Sequence, residues 1–84
     1  MEQFDILTLD NGKDYVINKM LEYKGKEYLL LVEVDEEENI LNEKLIAEKL
    51  KTEDGYSLSI LDNNESIYKT VSEMFAKMLI QDLA

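Results

Sequence analysis

The chain has no histidine, cysteine, arginine, proline or tryptophan. Each absence removes a class of chemistry. Without cysteine or histidine there is no disulfide, no zinc or haem ligation, no thiol nucleophile and no imidazole base. Without arginine there is no bidentate clamp for phosphate. The longest apolar run, Tyr28 to Val32, is far short of a membrane span. Residues 1–20 lack a basic start followed by an apolar stretch, so the expected setting is the cytoplasm, with no membrane.

What remains is 84 residues carrying nine lysines against nineteen acids, a formal charge of −10. That sign opposes direct nucleic-acid binding. A hydrophobic fraction of 45% is too high for a disordered acidic tail and enough for a modest core. At this length there is room for one core, so residues 1–84 are expected to form a single domain.

The three glycines sit where hairpins would turn. Asn11-Gly12, flanked by Asp10 and Lys13, fits a two-residue type I′ loop, which needs positive φ at both positions. Pairing outward from it sets Thr8 opposite Tyr15, Ile6 opposite Ile17 and Phe4 opposite Lys19. Lys24-Gly25 repeats the device, with Leu21 opposite Tyr28 and Ile17 opposite Val32. One face then collects Phe4, Ile6, Ile17, Leu21, Tyr28, Leu30 and Val32. At Glu53-Asp54-Gly55 a three-residue loop sets Leu50 opposite Leu58 and Glu48 opposite Ile60, matching apolar with apolar better than a two-residue Asp54-Gly55 loop.

Residues 40–50 are built from helix formers, but on a helical wheel their apolar positions scatter all round instead of forming a stripe. A strand over roughly 44–51 gives the Gly55 turn a partner, and that reading is preferred. The last twenty residues read as helix over about 63–81. Asp62 and Glu65 have capping-box spacing. Ile67, Tyr68, Val71, Met74, Phe75, Met78 and Leu79 fall within an arc of about 140°. The expected fold is therefore α+β: an antiparallel sheet of about five strands built from hairpins over 3–61, with the C-terminal amphipathic helix packed on one face.

Four stretches carry a resemblance: Ile6 to Gly12, Tyr23 to Leu31 with its Gly25-Lys26-Glu27-Tyr28 core, Thr52 to Gly55, and Val71 to Phe75. Together they resemble the YrzB-like family of short acidic bacterial proteins, a domain without an assigned activity. Residues 39–46 depart from that pattern, with a shorter acidic stretch and a more helix-like segment after it. The resemblance implies a bacterial cytosolic protein with a sheet and one terminal helix. It carries over no catalytic residue and no cofactor.

Candidate sites are few. Asp35-Glu36-Glu37-Glu38 could bind a divalent cation weakly, but it has neither alternating ligands nor a glycine turn and reads first as a solvated loop. Glu48 is the acid nearest an apolar context, and an edge-strand surface position is its ordinary reading. The five tyrosines read as sheet and core residues, since stacking on bases would need a basic groove. No catalytic residue, cofactor site or small-molecule substrate is implied. The expectation is a non-enzymatic protein-interaction or regulatory module. One alternative is an acidic mimic of nucleic acid that occupies a basic groove. Another is a carboxylate enzyme using a divalent metal. One helix covers one face only, while the other carries Leu7, Leu9, Val16, Met20, Leu29 and Leu31. Such a patch marks an interaction face unless something covers it. Residues 39–46 folded as a short helix, a second copy in a homodimer, or a different protein partner could each do so.

Overall fold

The computed structural model describes residues 2–37 and 39–83, with side chains at all of them except Asn42 and 79–83. Five strands follow one another as an antiparallel meander, each paired with its sequence neighbours: β1 (Ile6–Thr8), β2 (Asp14–Tyr23), β3 (Lys26–Val34), β4 (Ile40–Thr52) and β5 (Gly55–Ile60). The chain ends in α1 (Ser66–Leu83). The α+β architecture is the expected one. Residues 40–46 are strand, the first half of β4, so no short helix forms there.

Turn chemistry sets the register, and it corrects two of the three expected pairings. At Lys24-Gly25 both residues have positive φ, 51° and 80°, the type I′ signature, and Leu21 pairs with Tyr28 as expected. At the first hairpin the loop is Asp10-Asn11-Gly12, three residues rather than two. The Leu9 N–H donates to the Lys13 carbonyl at 3.0 Å, and Gly12 takes the left-handed φ of 78° that lets the chain re-enter β2. The pairing becomes Leu7 with Tyr15 and Ile6 with Val16, one residue away from expectation. A one-residue slip exchanges faces. At the third hairpin the turn is Glu53-Asp54, with Gly55 at φ 135° paired to Thr52, so Leu58 faces Lys49 and Ser59 faces Glu48.

Two irregularities bend the sheet. In β2 the register shifts between Ile17 and Lys19, leaving Asn18 as the extra residue; its carbonyl accepts a hydrogen bond from Gln3 Nε2 at 2.9 Å. Ile17 therefore pairs with Leu31, not Val32. Between β3 and β4 the register shifts again after Val32. Bulges of this kind sharpen twist and curvature. The sheet curls into a half-barrel.

The two faces are closed in different ways. On the outer face α1 lays Val71 and Phe75 against Tyr28, Leu30 and Ile46, with Leu21, Tyr23, Leu61, Ile67, Tyr68 and Met78 around them. The helix start is held by the turn before it: Glu65 Oε2 accepts from the Asp62 N–H and Asp62 Oδ1 from the Asn64 N–H, both at 2.9 Å. That is the reach-back half of a capping box, with the helix beginning at Ser66 rather than 63. Leu79 lies outside the described side chains. On the inner face Tyr15, Ile17, Leu29, Leu31 and Ala47 are fully buried, and Leu7, Leu9, Met20, Leu45 and Leu58 pack against them. Among the described residues no helix covers this side; the curl does.

Candidate functional site

The face expected to lie open is the hollow of the half-barrel, and its membership changes with the register. Leu7, Leu9, Met20, Leu29 and Leu31 share it as expected. Val16 does not: it alternates with the inward-facing Tyr15 and Ile17 and pairs with Val32 on the outer side. Leu29 and Leu31 are fully buried within the single chain, so they form interior rather than a contact surface. Ile17, expected beneath the helix, is inner core for the same reason. Phe4, expected in the same layer, sits before β1 at a left-handed φ of 72° and is 68% exposed.

The curl brings β1 and β5 to opposite sides of one groove. Its volume is about 630 Å³, and Leu7 of β1, Leu9 just after it, Leu45 of β4, and Tyr56, Leu58 and Ile60 of β5 give it an apolar lining. Along β5 the apolar side chains at 56, 58 and 60 alternate with Ser57 and Ser59, the period of a strand with one apolar side. Tyr56 is 54% exposed and Ile60 43%, so the groove keeps apolar surface in water. Sequence reasoning found the strand but not this role, because β1 and β5 become neighbours only once the sheet bends.

The groove is acidic at one end. Asp10 and Glu43 belong to its wall. Lys13 Nζ lies 3.1 Å from Glu43 and 3.5 Å from Glu33, one lysine serving two carboxylates. The hydrogen bond from Lys13 holds the Glu43 carboxyl below its usual range, and the two acids raise Lys13 in turn. At the other end Lys49 lies over the Tyr56 ring, 4.0 Å from its centre, and 3.4 Å from Glu27.

The remaining candidates are accounted for locally. Asp35 is bound up in its own loop: Oδ1 accepts from the Glu37 and Asn39 N–H groups at 2.9 Å, and Oδ2 from Asn39 Nδ2 at 3.1 Å. Those bonds, the Asn39 backbone N–H first, hold its carboxyl below the ordinary value. Glu36 and Glu37 are exposed, and Glu38 lies outside the described residues. Among the described residues no three carboxylates gather as a metal site. Glu48 lies opposite Tyr28 and Ser59, with Lys26 Nζ at 4.0 Å. Burial, then the Glu48 charge, pushes the Tyr28 hydroxyl above its ordinary range. Tyr15 is interior, with Asn11 Nδ2 donating to its hydroxyl at 3.2 Å.

Fold and groove define a small acidic antiparallel half-barrel, helix-covered outside and open along its β1–β5 seam. Among the described residues no helix is long and apolar enough to cross a membrane. Comparison with protein-family models, with curated proteins and with solved structures finds no match.

Proposed function

We propose that this chain is a non-enzymatic protein-interaction module that takes a segment of another protein into the groove between β1 and β5. The observation that carries the proposal is the exposed apolar lining along β5, with Tyr56 and Ile60 about half in water beside Leu58. Aromatic and aliphatic side chains of this kind supply contact area that desolvates on binding. The carboxylates beside the groove argue for binding over catalysis. A general acid needs a raised pKa, whereas Glu43 is exposed and drawn down by Lys13. A cytoplasmic setting belongs to the same reading and rests on the sequence.

The test is site-specific photocrosslinking in the native cell. A photoreactive residue replaces Tyr56 in one variant and Lys69, exposed on α1, in a second. The reading expects a defined adduct with another protein from position 56 and none from position 69. Adducts from neither position, or equally from both, would remove the groove as the working surface.

A further inference from the structure

The groove has two backbone edges as well as an apolar floor. On β5 the Leu61 N–H donates to the Ile46 carbonyl at 2.8 Å, which makes 46/61 a hydrogen-bonded pair and sets the alternation along the ladder. By that alternation the N–H and C=O groups of Tyr56, Leu58 and Ile60 point away from β4. Their side chains are the ones that line the groove. On β1 the Ile17 N–H donates to the Asp5 carbonyl at 2.9 Å and Leu9 to Lys13 at 3.0 Å, so Ile6 and Thr8 turn their backbone groups away from β2. Among the described residues neither edge has a ladder partner, so two open strand edges border one apolar trough. An edge in this state is a template for another strand.

Topology fixes the direction of such a strand. In a five-strand meander β1 and β5 run the same way. A sixth strand between them would be antiparallel to both and would close the half-barrel with antiparallel pairs throughout. Both β1 and β5 run toward the end that holds Asp10 and Glu43, so an antiparallel guest enters with its N-terminal part at that end. There the wall offers two carboxylates, and the nearby Lys13 is already shared between Glu33 and Glu43. A second copy of this chain suits the site poorly, because each copy brings a charge of −10.

Resting on the binding reading above, we infer that the groove is completed by an extended segment of a partner protein, added as a sixth strand between β1 and β5. Its groove-facing residues are lysine or arginine in the N-terminal half and apolar in the C-terminal half.

The experiment titrates the full chain with a labelled synthetic peptide of about eight residues. The peptide is acetylated and amidated, and threonine alternates with groove-facing residues, two lysines first and then two valines. Three comparisons accompany it: the same peptide N-methylated at its edge-pairing amides, the reversed order, and glutamate in place of lysine. On the protein side Tyr56→Pro removes an outward N–H without breaking a β4 bond, and Tyr56→Val removes the ring but keeps the N–H. The forward peptide is expected to bind. N-methylation, reversal, glutamate and Tyr56→Pro should each weaken it about tenfold or more, the scale of one lost hydrogen bond or charge contact, and Tyr56→Val, which gives up the ring contact but keeps the N–H, should weaken it clearly less than Tyr56→Pro. If Tyr56→Pro fails to fold, the N-methylated peptide decides the point alone.

Equal binding of the N-methylated or reversed peptide would overturn strand addition. So would tight self-association by sedimentation, since a second copy would then hold the edge. No peptide binding, with the position-56 adduct still formed in cells, would refute the sixth strand and leave the groove reading standing. Loss of that adduct as well would remove both.

Discussion

The two faces of this sheet bury comparable sets of side chains by opposite means. The outer face is covered by a separate element, α1, whose Val71 and Phe75 dock on Tyr28, Leu30 and Ile46. The inner face has no such cover; it buries Tyr15, Ile17, Leu29, Leu31 and Ala47 by bending the sheet around them. A helix can be added to a sheet of any curvature, so its apolar stripe is a local property of about twenty residues. A curl depends on bulges and register across five strands, and it leaves a seam where the first and last strands do not meet. The difference explains why one face is covered by a helix and the other ends in an open seam between β1 and β5.

Substituting on each face sharpens that comparison. The largest effect is expected from Leu29→Asp, which places an unpaired carboxylate among fully buried inner residues. It should cost more than about 4 kcal/mol and leave the chain unfolded by circular dichroism. A folded Leu29→Asp monomer would mean that the inner face is open surface. Phe75→Ala tests the outer face, where losing a buried aromatic should cost about 3–5 kcal/mol in a urea titration. A change within about 0.5 kcal/mol would show that the helix does not dock as described.

Those two positions also mark what could be read in the chain and what could not. The helix was legible because its periodicity needs no partner: Ile67, Val71, Phe75 and Met78 make a stripe wherever they dock. Five strands, their order along the chain and the type I′ turn at Lys24-Gly25 were legible for the same local reason. The pairing of β1 with β2 and the faces of Val16 and Ile17 were not. Asn11-Gly12 suits both a two-residue loop and a three-residue loop ending in a left-handed glycine, and the two differ by one residue of register. Asn18 as a bulge is invisible in composition, since the Gln3 side chain that satisfies its carbonyl is distant in sequence. With those two features unread, Val16 and Ile17 exchanged sides, and the groove formed by Tyr56, Leu58 and Ile60 with β1 could not be foreseen.

Smaller effects probe the devices behind the curl. Gly12→Ala should cost about 1 kcal/mol: an added Cβ meets nothing within 4 Å, so the penalty is that of φ 78° for an L-residue. A thermal melt checks it, and an unchanged midpoint would mean that the first hairpin does not need this loop. Raising ionic strength from low salt to about 0.15 M should raise the melting temperature, because screening weakens self-repulsion at −10. A flat response would show that pairs such as Lys13 with Glu33 and Glu43 already offset the acids locally.

The acidic loop gives the smallest effect and a defined sign. Asp35 has its folded pKa depressed below the ordinary value of 3.8 by hydrogen bonds to Asn39 and Glu37. Its contribution is therefore present above that value and is lost as pH falls through the depressed one. Asp35→Asn should accordingly lower stability slightly at neutral pH and converge with the unmodified chain in acid. A constant offset at every pH would assign the effect to loop shape instead of charge.

The central claim is that one chain, by itself, closes its helix-free face. Methyl relaxation in dilute solution with a soluble paramagnetic agent tests it most directly. The account predicts that the Leu29 and Leu31 methyls are as shielded as those of Val71, while Leu50 and Ile60, exposed at 39% and 43%, are strongly relaxed. Relaxation of Leu29 and Leu31 at the level of Leu50, or shielding that develops only as concentration rises, would contradict it.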